Sequence, residues 1–206
     1  MKIAIDVSQM CYEGTGVARY VYGLTKALLN LDTNHLFVLY AGALRQRDFF
    51  EKLKTQSPWD KAEWHILPIP PKVAGLALNT LPIHIESLVG KVDLFHSSDW
   101  VEPRANCPVV TTIHDLVFIK YPETVEKMIL NTQVKRLNKI VKNNTHIIAD
   151  SRSTKQDILE TYNLKIDQID VVYPGIDTSY VPQSPTEVDR VKKKYNLPNQ
   201  NIMSLG

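Results

Sequence analysis

The chain has 206 residues, 44% hydrophobic and 22% charged, with a formal net charge of +2 at pH 7. That length can bury a substantial core, and a near-neutral balance without a basic stripe excludes a nucleic-acid binder. Two cysteines far apart, Cys11 and Cys107, exclude a disulfide scaffold or zinc ribbon and fit a reducing cytoplasm.

The N-terminal MKIAID reads as a strand from Lys2 to Val7 rather than a signal peptide, and no uncharged apolar run is long enough to span a membrane. A loop holding Gly14 and Gly16 follows, then a helix from Val17 to about Leu31 with Val17, Val21, Leu24, Leu28 and Leu31 on or near one face. Leu36 to Ala41 is a second strand, Leu44 to about Lys54 a charged helix, and Trp64 to Leu67 a third strand. Val73 to Val89 reads as helix, divided or kinked at Pro82. Val92 to Phe95 and Val109 to Ile113 are strands separated by a polar loop.

Glu123 to about Lys142 is a long helix, and His146 to Ala149 a buried strand. Ser153 with Gln156 matches a capping box for a helix reaching about Tyr162. Ile169 to Val172 is a strand, Thr186 to Tyr195 a basic helix, and Asn201 to Gly206 the start of another strand. A chain stopping there suggests a second domain that is missing. Short, wholly apolar strands separated by helices predict an α/β fold: a Rossmann-like open parallel sheet with helices on both faces.

In such sheets ligands bind outside the carboxyl ends of the strands, near a switch in strand order. Four ends carry polar or glycine-rich sequence: Gly14-Thr15-Gly16, His96 to Asp99, His114-Asp115, and Asp150-Ser151-Arg152. Glycines let a backbone approach a bulky anion, and the next helix offers amides and a positive dipole end. Yet Arg19 stands where a dinucleotide fingerprint needs its third glycine, and a plain turn before a helix explains the loop equally.

His114 can serve as donor, base or ligand for a sugar hydroxyl, with Asp115 orienting its ring; a helix-capping Asp beside a structural His is the alternative. His96, His114 and Asp115 lack metal-ligand spacing, so no metal site is expected. Ser151 and Ser153 suit helix caps, and Lys135, Lys139 and Lys142 a solvated helix face.

The ordered set KIAID, GTGVARY, VDLFHSS, PVVTTIHDL, IIADSRSTKQDI and IDVVYPGID resembles the N-terminal half of family 4 glycosyltransferases, over nearly the whole chain. The resemblance implies a GT-B enzyme with two Rossmann-like domains: residues 1–182 as the N-terminal, acceptor-side domain, and 183–206 as a linker helix and first strand of a truncated second one. It implies transfer of a hexosyl group from a nucleotide sugar to a saccharide or lipid-linked acceptor, retaining anomeric configuration, with no cofactor or obligatory metal.

The same resemblance puts Gly14, Thr15 and Gly16 near the donor diphosphate and acceptor, and His114 beside the transferred sugar. Ser151, Arg152 and Lys155 lie near the cleft, and Arg19, His96 and Asp150 join the candidate substrate-binding set. The family binds its donor mainly through a C-terminal E-x7-E motif, a spacing absent here, so this chain alone is expected to be inert. Three alternatives stay open: a non-catalytic saccharide-binding module, one subunit of a split enzyme, and a dinucleotide oxidoreductase. Val73 to Ile85 could pack on the sheet or, helped by Lys72 and Lys91, touch the inner face of a membrane.

Overall fold

The structure is a computed structural model that describes residues 1–177 and 180–202, with side chains except at 71 and 72. It contains β1 (Lys2–Asp6), α1 (Gly16–Asn30), β2 (Leu36–Gly42), α2 (Arg47–Leu53), β3 (Glu63–Leu67), α3 (Pro71–Thr80) and α4 (Glu86–Val89). There follow β4 (Leu94–Ser97), β5 (Val109–Ile113), α5 (Val117–Lys120), α6 (Lys127–Asn143), β6 (His146–Ala149), α7 (Arg152–Thr161), β7 (Ile169–Val171) and α8 (Pro185–Tyr195).

The strands form one seven-stranded sheet in the order β3-β2-β1-β4-β5-β6-β7, every neighbouring pair parallel. This is the expected Rossmann-like α/β architecture. Successive side chains of a strand face opposite sides, and the core divides accordingly. Ile5, Phe37 and Leu39 pack with Leu29 of α1 and Phe50 of α2. Ala4, Val38 and Tyr40 pack with Leu78 of α3 and with Ile85 and Val89 on the other face. Beyond β4, Ile113, Ile147 and Ile169 pack with Leu137 and Ile140 of α6 and Ile158 of α7. Each fully buried aliphatic side chain of this kind contributes about 1.5–3 kcal/mol of transfer free energy.

Sequence order reverses between β1 and β4, so the loops leaving these strands diverge to opposite faces and leave a crevice between them. Several expected boundaries move. The first helix ends at Asn30, leaving Leu31 exposed, and its inward stripe runs through buried Ala18, Thr25 and Leu29 with half-buried Val21 and Leu28. Pro82 does divide the Val73–Val89 stretch, into α3 and α4. The long helix begins at Lys127, because Pro122–Thr124 forms a separate 3-10 turn. No capping box forms at Ser153; Ser151 caps α7 by accepting from the Thr154 amide, and Gln156 turns to Glu160.

The chain forms two compact units, Met1–Pro174 and Gly175–Gly206. In the second, Ser184 caps α8 and Asn196 ends it in the left-handed conformation. Asn201 and Ile202 belong to no strand, and residues 203–206 of the expected terminal strand lie outside the described residues.

Candidate functional site

The crevice at the β1/β4 reversal is lined by Asp6, Tyr20, His96, Ser98, Asp99 and His114, among others. Register explains how a histidine and a carboxylate meet beside it. Ile113 of β5 lies opposite Ala149 of β6, so the next residue on each strand, His114 and Asp150, stand side by side. Asp150 Oδ2 is 2.5 Å from His114 Nδ1. Thr154 of α7 also donates its hydroxyl to the His114 carbonyl, at 3.0 Å.

The His114 ring meets Tyr20 of α1 edge-on, with centroids 4.8 Å apart. Tyr20 follows Gly16 by one helical turn, so the glycine loop and the histidine are linked through a single side chain. Burial works against protonating His114, but the Asp150 hydrogen bond and the negative charges of Asp99 and Asp150 outweigh it, and its pKa is raised. Among the described residues, none hydrogen-bonds its Nε2.

His96 sits inside β4, which runs to Ser97 rather than ending at Phe95. Its Nε2 lies 3.0 Å from Thr112 Oγ1, which also meets the Tyr20 hydroxyl at 3.2 Å. Burial, then the Arg136 and His114 charges, push the His96 pKa down to about 4, so the ring is neutral at pH 7.

Beneath the crevice lies a buried polar network that the sequence reading missed. Arg136 of α6 is 3% exposed; its Nη2 donates to Thr111 Oγ1 at 2.5 Å and to the Thr112 carbonyl at 3.1 Å. Its Nη1 stands 3.7 Å from Asp99. Glu102 is buried too, bonded to Thr145 and Ser97, and burial raises its pKa against these partners. The available signal was a charged residue beside Leu137 and Ile140 on the face of α6 that turns inward, where a solvated side chain does not belong. Lys139 is no member of a solvated face either: its ammonium donates to the Asn79 carbonyl at 2.5 Å.

The remaining candidates divide. Gly14 adopts φ +88°, which favours glycine, while Thr15 caps α1 by accepting from the Ala18 amide at 3.2 Å. Gly14, Thr15 and Gly16 are exposed, with open space where a side chain would stand at both glycines. Arg19 and Arg152 are exposed. Asp115 is not the ring's partner: its carboxylate accepts from the Val117 amide at 2.9 Å, the helix-start role left open by the sequence. Lys155 is held elsewhere, donating to the carbonyls of Ile166 and Ile169 and tying α7 to β7.

Among the described residues, no group of three or more His, Cys, Asp or Glu side chains could hold a metal ion, and no helix is long and apolar enough to cross a membrane. The arrangement can hold a polyhydroxylated or anionic ligand at Nε2 of an oriented imidazole.

Known proteins share this framework. The chain is 23% identical over 146 residues to a D-inositol 3-phosphate glycosyltransferase of Corynebacterium aurimucosum, matching 60% of this chain and 35% of that protein. It is 26% identical over 104 residues to the O-antigen chain mannosyltransferase B of Escherichia coli, matching 50% of this chain and 27% of that one. Among solved structures, Anabaena HepE in complex with UDP-glucose superposes with a TM-score of 0.52 at 17% identity, over 97% of this chain and 50% of that chain. HepE in complex with UDP and glucose gives 0.51 at 16% identity, over 95% and 50%. The chain thus spans at most half the length of these relatives. The family model for glycosyltransferase family 4 matches residues 14–180, from the glycine loop to beyond the last strand, and on that extent the chain belongs to glycosyltransferase family 4.

Proposed function

We propose that this chain is the acceptor-side domain of a retaining glycosyltransferase, with boundaries near 1–182, whose nucleotide sugar is held mainly by a second domain. The acceptor is a saccharide or a lipid-linked saccharide, and the reaction needs no obligatory metal. The observation that carries the reading is His114, held at the strand reversal with its ring oriented and its Nε2 free of protein partners among the described residues. Support for a hexosyl donor comes from the relatives named as glycosyltransferase and mannosyltransferase, and from the complexes with UDP and UDP-glucose.

In this reading protonated His114, which carries a hydrogen on each ring nitrogen, donates from Nε2 to the reacting sugar. Its raised pKa favours the protonated, donating form. Gly14, Thr15 and Gly16 give a diphosphate oxygen an approach to backbone amides at the start of α1, where the helix dipole favours negative charge. Charge developing on the leaving diphosphate is then met by donors already in place.

A lipid-borne acceptor is favoured by one feature. Leu78 and Ile85 pack on the sheet, whereas Val73, Leu76 and Leu81 are 53%, 65% and 50% exposed. Lys91 is exposed as well, and the side chain of Lys72 lies outside the described residues. Peripheral contact at an inner membrane face follows from that reading. Proton NMR of the anomeric signal in the product tests the main proposal. The donor's configuration should reappear in the product; an inverted product, or no transfer by the intact enzyme from any nucleotide hexose, would overturn it.

A further inference from the structure

Asp150 was expected among the groups that touch substrate, but its geometry gives it another task. An ionised carboxylate can only accept. At 2.5 Å from Asp150 Oδ2, Nδ1 of His114 must therefore carry the hydrogen. In free imidazole the neutral form has a choice of nitrogen; here the choice is made by the protein.

We infer that Asp150 is the positioning residue of this site, fixing the Nδ1–H tautomer of His114 and presenting its Nε2 to the crevice, while Thr154 holds the same residue by its carbonyl. The inference rests on the reading of His114 as the sugar-contacting group. Both holds come from one junction, the turn from β6 into α7, where Ser151 caps the helix and so places Thr154. The ring thus has a partner on one edge, Tyr20 against it, and one nitrogen left for a ligand.

The charged and titratable groups around the ring are Asp150 at the end of β6, Asp99 from the loop after β4, Arg136 from α6, His96 from β4 and Tyr20 from α1. The two carboxylates favour the imidazolium and Arg136 opposes it. Asp115, next in sequence, is turned to the Val117 amide. Removing the Asp150 charge should therefore lower the His114 pKa and release the tautomer together. An effect confined to packing would move neither.

The test is long-range proton–nitrogen NMR of the chain with 15N-labelled histidine, titrated through the histidine range. In the wild type, neutral His114 should carry its proton on Nδ1, with a pKa above the ordinary histidine value. Asp150→Asn should lower that pKa and move the neutral proton toward Nε2, and Asp150→Glu, which keeps the charge, should restore part of the elevation. A wild-type proton on Nε2, or an Asp150→Asn chain with unchanged tautomer and pKa, would overturn the inference. The wild-type tautomer is read without any substitution, so a variant that fails to fold leaves the test intact. Transfer by the intact enzyme is a separate readout: a confirmed tautomer with undiminished turnover in His114→Ala keeps the positioning and sinks the catalytic reading.

Discussion

His114 is held twice from one turn: Asp150 Oδ2 meets its ring at 2.5 Å and Thr154 Oγ1 meets its carbonyl at 3.0 Å. The strand end that carries the candidate chemistry is therefore fixed by its neighbour in the sheet rather than by its neighbour in sequence.

The two crevice histidines should give opposite pH dependences of stability. His96 has its folded pKa pushed down to about 4 from 6.5, so its contribution is present above 6.5 and lost as pH falls toward 4. The full loss is about 3 kcal/mol by linkage. His114 has its folded pKa raised from 6.5, so its contribution is full below 6.5 and lost as pH rises through the folded value. Urea midpoints against pH should show the acid-side loss shrink in His96→Gln and the neutral-side loss shrink in His114→Gln. Curves parallel to wild type would refute the assignment.

The two loop glycines should separate stability from binding. Gly14 sits at φ +88°, where a side chain costs about 1–2 kcal/mol, so Gly14→Ala should lower the melting temperature. Gly16 opens α1 with nothing within 4 Å of an added Cβ. Gly16→Val should change stability by less than about 0.5 kcal/mol, yet abolish nucleotide-sugar binding by the intact enzyme, as calorimetric titration would report. Normal binding in Gly16→Val would leave the loop a simple turn.

Arg136 should matter for folding. Arg136→Ala removes the charge facing Asp99 and two donors to Thr111 and Thr112, at a cost of about 3 kcal/mol. Arg136→Lys should recover little, because one ammonium cannot reproduce the planar fork. Full stability in the lysine variant, measured by denaturant unfolding, would mean that charge alone suffices.

The exposed side chains of α3 give a membrane test. The intact enzyme should co-sediment with anionic vesicles at low salt, less so at high salt, and Leu76→Glu should abolish binding without unfolding. No sedimentation at low salt would favour a soluble acceptor.

The sheet was legible because fully buried parallel strands are short apolar runs: β5 and β6 fall where the sequence puts them, at Val109–Ile113 and His146–Ala149. Helix starts were less so, since local turns such as Pro122–Thr124 share the composition of a first helical turn. His114 stood out as a polar residue ending an apolar strand. Its partner did not, because Asp115 is adjacent in sequence while Asp150 is adjacent only through the pairing of β5 with β6. Arg136 and Glu102 did not stand out in the sequence for the same reason: Arg136 meets Thr111 and Asp99, and Glu102 meets Thr145, only through the fold.

The most direct measurement is steady-state transfer by the intact enzyme carrying His114→Ala, with circular dichroism as the check on folding. A hydrogen bond that tightens in the transition state is worth roughly 2–4 kcal/mol, so kcat should fall by roughly 30- to 1000-fold while the spectrum is unchanged. Wild-type turnover in a folded His114→Ala enzyme would contradict the account.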